Sequence, residues 1–174
     1  MVQLNTLVVP RLRLLGFAGV AAAALLHNAF VYPGVAAFTW TPWLKLVATL
    51  LVYNATTWYL LHLFYEDARG HLDLGTVFLA LDMWMFSVCI HFTGAEHSWM
   101  FFLPLFRVID QTSTSFRRAV AFAHLAPLSY AVVVLDVVWR QQRAIPLTPE
   151  IAKVLLIYIG GLYKIGRASC RERV

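Results

Sequence analysis

The chain has 174 residues and a formal net charge of +5, and 13% of its residues are charged. Its mean hydropathy is +0.69. A soluble domain carries about a quarter charged residues, whereas here long apolar blocks alternate with short polar segments. Because a membrane span needs about 20 mostly apolar residues, we expect an all-α integral membrane protein with no room for a separate soluble domain. The basic residues stand singly or in pairs at the block ends, which is typical of topology signals and not of nucleic-acid binding.

The apolar blocks predict a six-helix transmembrane bundle. The first block follows two arginines, as in a signal peptide, but no small-residue cleavage site comes after it, so we interpret it as a retained span. The sixth block begins at a proline, which suits a first helical turn because its missing N–H would be unpaired there anyway. The spans cover about 13–32, 43–65, 72–92 and 119–139, with a short fourth span from Trp99 and a sixth from Pro149.

The loop charges favour a cytoplasmic N-terminus. Cytoplasmic loops of membrane proteins carry an excess of arginine and lysine. We therefore expect a multi-pass protein of the bacterial inner membrane with its N-terminus in the cytoplasm. On this topology the cytoplasmic arginines are Arg11, Arg13, Arg69, Arg117 and Arg118, and the outer ones are Arg140 and Arg143.

The C-terminal segment differs in character from the rest of the chain. As a helix, residues 149–163 cover about 22 Å, against about 30 Å of hydrocarbon. Residues 165–174 back-translate in frame into a common short-read sequencing adapter, and Lys164 fits the preceding bases. We therefore expect a polytopic transmembrane domain over 1–163 with a truncated last helix and a non-native tail over 164–174, of which residues 165–174 do not contact the bundle. Cys89 is then the one native cysteine, which excludes a disulfide framework.

Three charged residues lie within predicted spans three and four. Asp82 is near the middle of span three, where an ionisable group is costly and usually has a partner. Arg107 and Asp110 are three residues apart on span four, so they share one helical face. Asp82 and Arg107 are about equally far from the turn that joins these antiparallel helices, so we expect the two side chains to meet. The network either rearranges when a ligand binds or fixes the helix register.

The histidines suggest an alternative reading of the chain. His27 and His91 fall near the outer span ends, and His62 and His124 near the inner ends. Two pairs at two depths would suit a di-haem cytochrome, in which two imidazoles hold each iron. Six histidines in six helices often pair by depth, however, so we assign no cofactor.

The turn between spans three and four holds the other candidate residues. Gly94 permits the chain reversal, and Ser98 is placed to cap span four. Glu96 with His91 and His97 offers a divalent-metal alternative, but so few ligands are weak support. We expect a simple loop and no metal.

The stretch LDMWMFSVCIHFTGAEHSWMFFLPLFRVIDQTSTSFRRAVAFAHLAPLSYAVVVL resembles the second half of the six-span sensor region that opens many bacterial sensor histidine kinases. In that family an aspartate on span three precedes a Thr-Gly-Gly turn, a Ser-Pro pair and a short aromatic-rich span. The likeness covers about 72–163. Asp82, Thr93, Gly94 and Ser98 match the pattern, whereas Ala95 and Trp99 stand where the family has glycine and proline.

The resemblance implies the membrane-embedded sensor or anchor region of a bacterial signal-transduction protein. The implied parent is a sensor histidine kinase whose cytoplasmic output domain is missing, so no catalytic residue is expected in this chain. The implied partners are the lipid bilayer and a second copy, paired through the parent protein, with no nucleic acid. Similar regions also precede diguanylate and adenylate/guanylate cyclase domains. A small membrane cytochrome b or quinone redox protein is the further alternative.

Overall fold

A computed structural model describes residues 9–30, 40–64, 74–111, 116–140, 142 and 144–171. Within these ranges the regular structure is entirely helical, which confirms the all-α prediction. The helices are α1 (Val9–Phe30), α2 (Trp40–Phe64), α3 (Leu74–Phe92), α4 (Leu103–Gln111), α5 (Phe116–Arg140) and α6 (Leu147–Arg171). Two short 3₁₀ helices, Ala95–His97 and Trp99–Phe102, lie between α3 and α4. The span ends predicted at 33–34 and 66–71, with Arg69 and Arg143, lie outside the described residues.

Four of the described helices are long and apolar enough to cross a membrane. They cover Pro10–Phe30, Trp40–Leu63, Gly75–Phe92 and Phe116–Arg140. α4 has nine residues, which is about 14 Å of helix. α6 has 25 residues but carries Glu150, Lys153 and Lys164. Membrane character is therefore supported by four helices, and the six-span count is not confirmed.

The chain forms two compact units, and the first covers Met1–Phe78. Within it α1 and α2 run antiparallel. Arg13 Nη2 donates a hydrogen bond of 2.5 Å to the Tyr53 hydroxyl. Trp43 Nε1, earlier in α2, donates one of 3.0 Å to the carbonyl oxygen of Ala21, later in α1. These contacts fix the hairpin at two heights.

In the second unit, Leu79–Val174, α3 and α5 run parallel. The Ser87 hydroxyl of α3 donates to the carbonyl oxygen of Ser129 in α5 at 3.0 Å. Further along both helices, His91 Nδ1 lies 3.4 Å from Asp136 Oδ2. Because the two helices run in the same direction, the chain between them has to return along their length.

The return path and the last helix complete an alternating arrangement in the second unit. α4 runs antiparallel to α3, since Arg107 contacts Asp82 beyond the connecting turn. α6 runs antiparallel to α5, since Tyr130 bonds Glu150 near the start of α6, whereas Ala123, earlier in α5, lies beside Gly161, later in α6. The small residues Gly161 and Ala123 bring α6 and α5 close together. The core of this unit includes Met83, Cys89, Ile90, Val108, Ala123, Ala126, Val133, Val137 and Ile157.

α6 extends beyond the segment predicted for the last span. It is a continuous helix of 25 residues, or about 37 Å, so the prediction of a short last helix differs from the structure. Ile165 is only 6% exposed, so the prediction that 165–174 contacts nothing is wrong for its first residue. The reason is helical spacing: Ile157, Gly161 and Ile165 are four residues apart, lie on one face and are all buried.

Candidate functional site

Asp82, Arg107 and Asp110 form a charged cluster in the second unit, here called the Asp82 cluster. Arg107 Nη2 donates a hydrogen bond of 2.8 Å to Asp82 Oδ2, and its Nη1 lies 3.6 Å from Asp110 Oδ2. The contact expected from equal depth is therefore present. The Asp82 side chain is 3% exposed, whereas that of Asp110 is 57% exposed. One guanidinium thus lies between a buried carboxylate and an exposed one.

Apart from its two carboxylate partners, Arg107 has mainly apolar and aromatic surroundings. The guanidinium carbon lies 5.7 Å from the centre of the Phe86 ring, which is within the range of a cation–π contact. Among the described residues, no group accepts a hydrogen bond from the buried Arg107 Nε. The charge of Arg107 is therefore balanced mainly through Asp82, with Asp110 as a second, screened partner.

Thr93 and Ser98 connect the end of α3 to the 3₁₀ helices. Their hydroxyl oxygens lie 2.6 Å apart. The Thr93 hydroxyl donates to the Cys89 carbonyl oxygen at 2.8 Å, and Ser98 Oγ accepts from the Met100 N–H at 3.1 Å. Both side chains are 1% exposed. Thr93 and Ser98 therefore bind backbone groups at helix ends in a buried turn.

The same turn places two successive residues in the left-handed backbone region. Gly94 has φ 106 and Ala95 has φ 48. Glycine adopts such angles freely, whereas a residue with a Cβ pays about 1–2 kcal/mol. Ala95 therefore adopts its left-handed angle with local strain.

A second polar cluster joins the turn to α5 and α6. It consists of Glu96, Tyr130, Glu150 and Lys153, and is called here the Glu150 cluster. The Tyr130 hydroxyl donates to Glu150 Oε2 at 2.5 Å. Lys153 Nζ donates to Glu150 Oε1 at 2.9 Å and also to the backbone carbonyl oxygen of Glu96. Tyr130, Glu150 and Glu96 are 0%, 4% and 8% exposed. The Lys153 ammonium therefore connects the turn to Glu150 of its own helix.

Sequence reasoning missed the Glu150 cluster, although one signal was available. Glu150 and Lys153 are three residues apart in an otherwise apolar block, and that spacing pairs opposite charges on one helical face. Tyr130 carried no such signal, because a tyrosine in an apolar helix is more often packing. Lys153 by itself is typical of the basic residues that lie near the ends of membrane spans.

Two histidines lie beside carboxylates near the same end of the second unit. His97 Nε2 lies 3.5 Å from Glu96 Oε1. The Asp136 carboxylate, which contacts His91, also lies 3.5 Å from Arg140 Nη1. The His97 side chain is 56% exposed, while that of Glu96 is 7% exposed. An accessible imidazole is therefore in contact with a buried carboxylate.

The four histidines of the haem alternative have different surroundings. His27 is buried, and its Nδ1 lies 3.2 Å from Asn28 Oδ1. His62 and His124 are exposed. The ring of His124 lies 5.4 Å from that of Tyr158. Each predicted imidazole pair combines one histidine from each unit, and within the second unit His91 and His124 have protein partners.

The metal alternative at the turn is not supported by the geometry. Within the described ranges, no group of three or more His, Cys, Asp or Glu side chains is placed to hold a metal ion. The carboxylate of Glu96 contacts His97, and His91 contacts Asp136 on α5. Glu96, His91 and His97 therefore do not assemble into one site.

In the first unit, Arg13 is surrounded by aromatic rings. Its guanidinium carbon lies 4.9 Å from the ring centre of Tyr53, 5.6 Å from that of Phe78 and 5.8 Å from that of Phe17. Cation–π contacts of this kind stabilise a charge in partly apolar surroundings. An arginine that reads as a topology signal therefore also fixes the α1–α2 hairpin.

Comparisons with protein-family models, curated proteins and solved structures found no match to this chain.

Proposed function

We propose that the chain is the membrane-embedded sensor and anchor region of a bacterial signal-transduction protein, in the first place a sensor histidine kinase. The observation that carries the proposal is the Asp82 cluster, in which a buried carboxylate of α3 binds Arg107 of α4 at 2.8 Å. Intramembrane charges are expensive and are usually functional. The Arg107 guanidinium can bind mainly Asp82 of α3 or mainly Asp110 of its own helix. The α3–α4 pair therefore has two possible arrangements.

We further propose a six-span topology in the inner membrane with both ends of the bundle in the cytoplasm. Two features of the second unit support it. The parallel α3 and α5 require a return path, and the second 3₁₀ helix with α4 supplies about 21 Å of it. Trp99 and Trp139 are exposed near that end of the unit where α3 and α5 finish, as expected for interfacial tryptophans on the outer side.

In this proposal the signal is detected within the bundle, and the response leaves through α6. α6 contacts the turn, α4 and α5 through Lys153, Gly160 and Gly161. Interhelical contacts of small residues allow one helix to slide past another by small steps. A movement of α6 would then reach a cytoplasmic output domain in the parent protein.

The test is to extend the gene past codon 163 in genomic DNA and to assay the full-length product. A phospho-acceptor histidine motif and autophosphorylation with ATP would support the kinase. A GGDEF-type motif with cyclic dinucleotide synthesis would support the diguanylate cyclase alternative. A haem absorption spectrum in the purified protein, with no signalling domain encoded downstream, would overturn the proposal in favour of a membrane cytochrome.

The topology has its own test. Single cysteines would replace Arg11, Arg117 or Trp139 in a protein that lacks Cys89. A membrane-impermeant thiol reagent would then be added outside intact cells. We expect labelling at position 139 alone. Labelling of only one of positions 11 and 117 would contradict the six-span arrangement.

A further inference from the structure

We propose that His97 and Glu96 form a proton-binding site whose occupancy is transmitted to α6 through Lys153. The use of this site as a sensory input rests on the proposed function, because it identifies the signal as a proton. The site itself is a property of the second unit and can be tested without any output domain.

The geometry provides a route from solvent to the buried cluster. The His97 imidazole is more than half exposed and lies 3.5 Å from the Glu96 carboxylate, which is 7% exposed. Imidazole is the ordinary side chain that changes charge between about pH 5 and 8. A proton from the adjoining solvent therefore changes the charge next to a buried carboxylate without entering the bundle core.

The buried end of the route is the ammonium group of Lys153. It donates to the backbone carbonyl oxygen of Glu96 and, at 2.9 Å, to the Glu150 carboxylate. When His97 is protonated, it attracts the Glu96 carboxylate, and Lys153 remains with Glu150. When His97 loses the proton to solvent, the turn whose backbone carbonyl at Glu96 already binds the Lys153 ammonium loses one positive charge, so the attraction between the turn and the ammonium increases. Because Lys153 belongs to α6, this competition acts on the position of that helix.

The other charged groups around the site define the controls. Tyr130 of α5 bonds Glu150, and a tyrosine hydroxyl stays protonated throughout the pH range in question. At the same end of the unit, His91 of α3 contacts Asp136 of α5, which also contacts Arg140. His91 is thus a second imidazole beside a carboxylate, but Lys153 is not among its contacts. A His91 variant separates the two titrations.

The experiment follows the lysine ammonium groups directly. The chain has three lysines, Lys45, Lys153 and Lys164, so protein labelled with ¹⁵Nζ-lysine in detergent micelles gives three signals, assigned with the K45R and K164R variants. We expect the Lys153 signal to shift between pH 5 and 8. Lys45 and Lys164 are both exposed and serve as internal references that do not show this step.

Three substitutions decide the origin of the shift. His97→Gln should abolish the pH-dependent step at Lys153, and His91→Gln should leave it unchanged. Glu96→Gln should reduce it, because the neutral amide no longer holds a charged imidazole beside the backbone carbonyl that Lys153 binds. A Lys153 signal that does not respond to pH, or that responds equally in His97→Gln, would overturn the proton site. Neither result bears on whether the parent protein carries a signalling domain.

Discussion

Removing one partner of the Asp82–Arg107 pair should destabilise the second unit, and removing both should cost less than the sum. The two charges lie 2.8 Å apart, with side-chain exposures of 3% and 23%. Loss of one partner from a buried ion pair typically costs about 3–5 kcal/mol, because the other charge stays behind without its main compensation. Arg107→Gln leaves the more deeply buried carboxylate, so we expect it to fall at the upper end of this range.

Asp82→Asn should cost less than Arg107→Gln. The asparagine oxygen can still accept from the guanidinium, and Asp110 lies 3.6 Å from the other guanidinium nitrogen. That second pair is exposed on the Asp110 side, where an ion pair contributes about 0–1 kcal/mol. Asp110→Asn is accordingly the matched control and should cost no more than this.

The measurement is a double-mutant cycle on the free energy of unfolding, obtained by SDS titration in micelles and followed by circular dichroism. Interhelical hydrogen bonds in membranes couple by about 0.6 kcal/mol on average. We expect a coupling above about 1 kcal/mol, which identifies an ionic interaction. Strictly additive effects of the Asp82 and Arg107 substitutions would refute the reasoning.

Five substitutions at four positions test the turn and the α5–α6 contact, each by thermal unfolding in detergent. Tyr130→Phe should cost about 1–3 kcal/mol, because the buried Glu150 carboxylate loses a donor; an unchanged midpoint would contradict the hydrogen bond. Gly94→Ala should cost at least about 1 kcal/mol from its left-handed backbone, whereas Ala95→Gly should change stability by under about 1 kcal/mol, since relief of strain offsets the lost buried methyl. Gly161→Ala places a Cβ in ordinary contact, 3.4 Å from that of Ala123, and should be tolerated, but Gly161→Leu should separate α5 from α6 and lower the midpoint.

The Asp82–Arg107 contact was predictable because it depends only on local counting. A short turn between antiparallel helices brings residues at equal distances from the turn to about the same height, where two opposite charges in apolar surroundings favour contact. The turn itself was also predictable, because Gly94 and Ser98 carry chemistry that acts within a few residues.

The Glu150 cluster could not be predicted as a whole, because it depends on helices distant in sequence. Glu96 and Lys153 are 57 residues apart. Their contact requires the relative rotation of α5 and α6, which is set by packing of residues such as Gly161 against Ala123. Apolar periodicity fixes where a helix runs but not which polar residues of a distant helix it meets. The burial of Ile165 was missed for a related reason, since a residue four positions after Gly161 joins the same face.

The short return between α3 and α5 has a consequence for how the protein enters the membrane. α4 has nine residues and includes Arg107 and Asp110, and each such charge opposes insertion by about 2.5–3.5 kcal/mol at a helix centre. On the proposed topology this segment is too short and too polar to be integrated alone. It would remain at the translocon, paired with Asp82 of the preceding α3, until α5 has been synthesised. α3, α4 and α5 would then partition into lipid as one group. Biogenesis would then depend on the order of synthesis, and a ribosome stalled before α5 would leave α4 outside the bilayer.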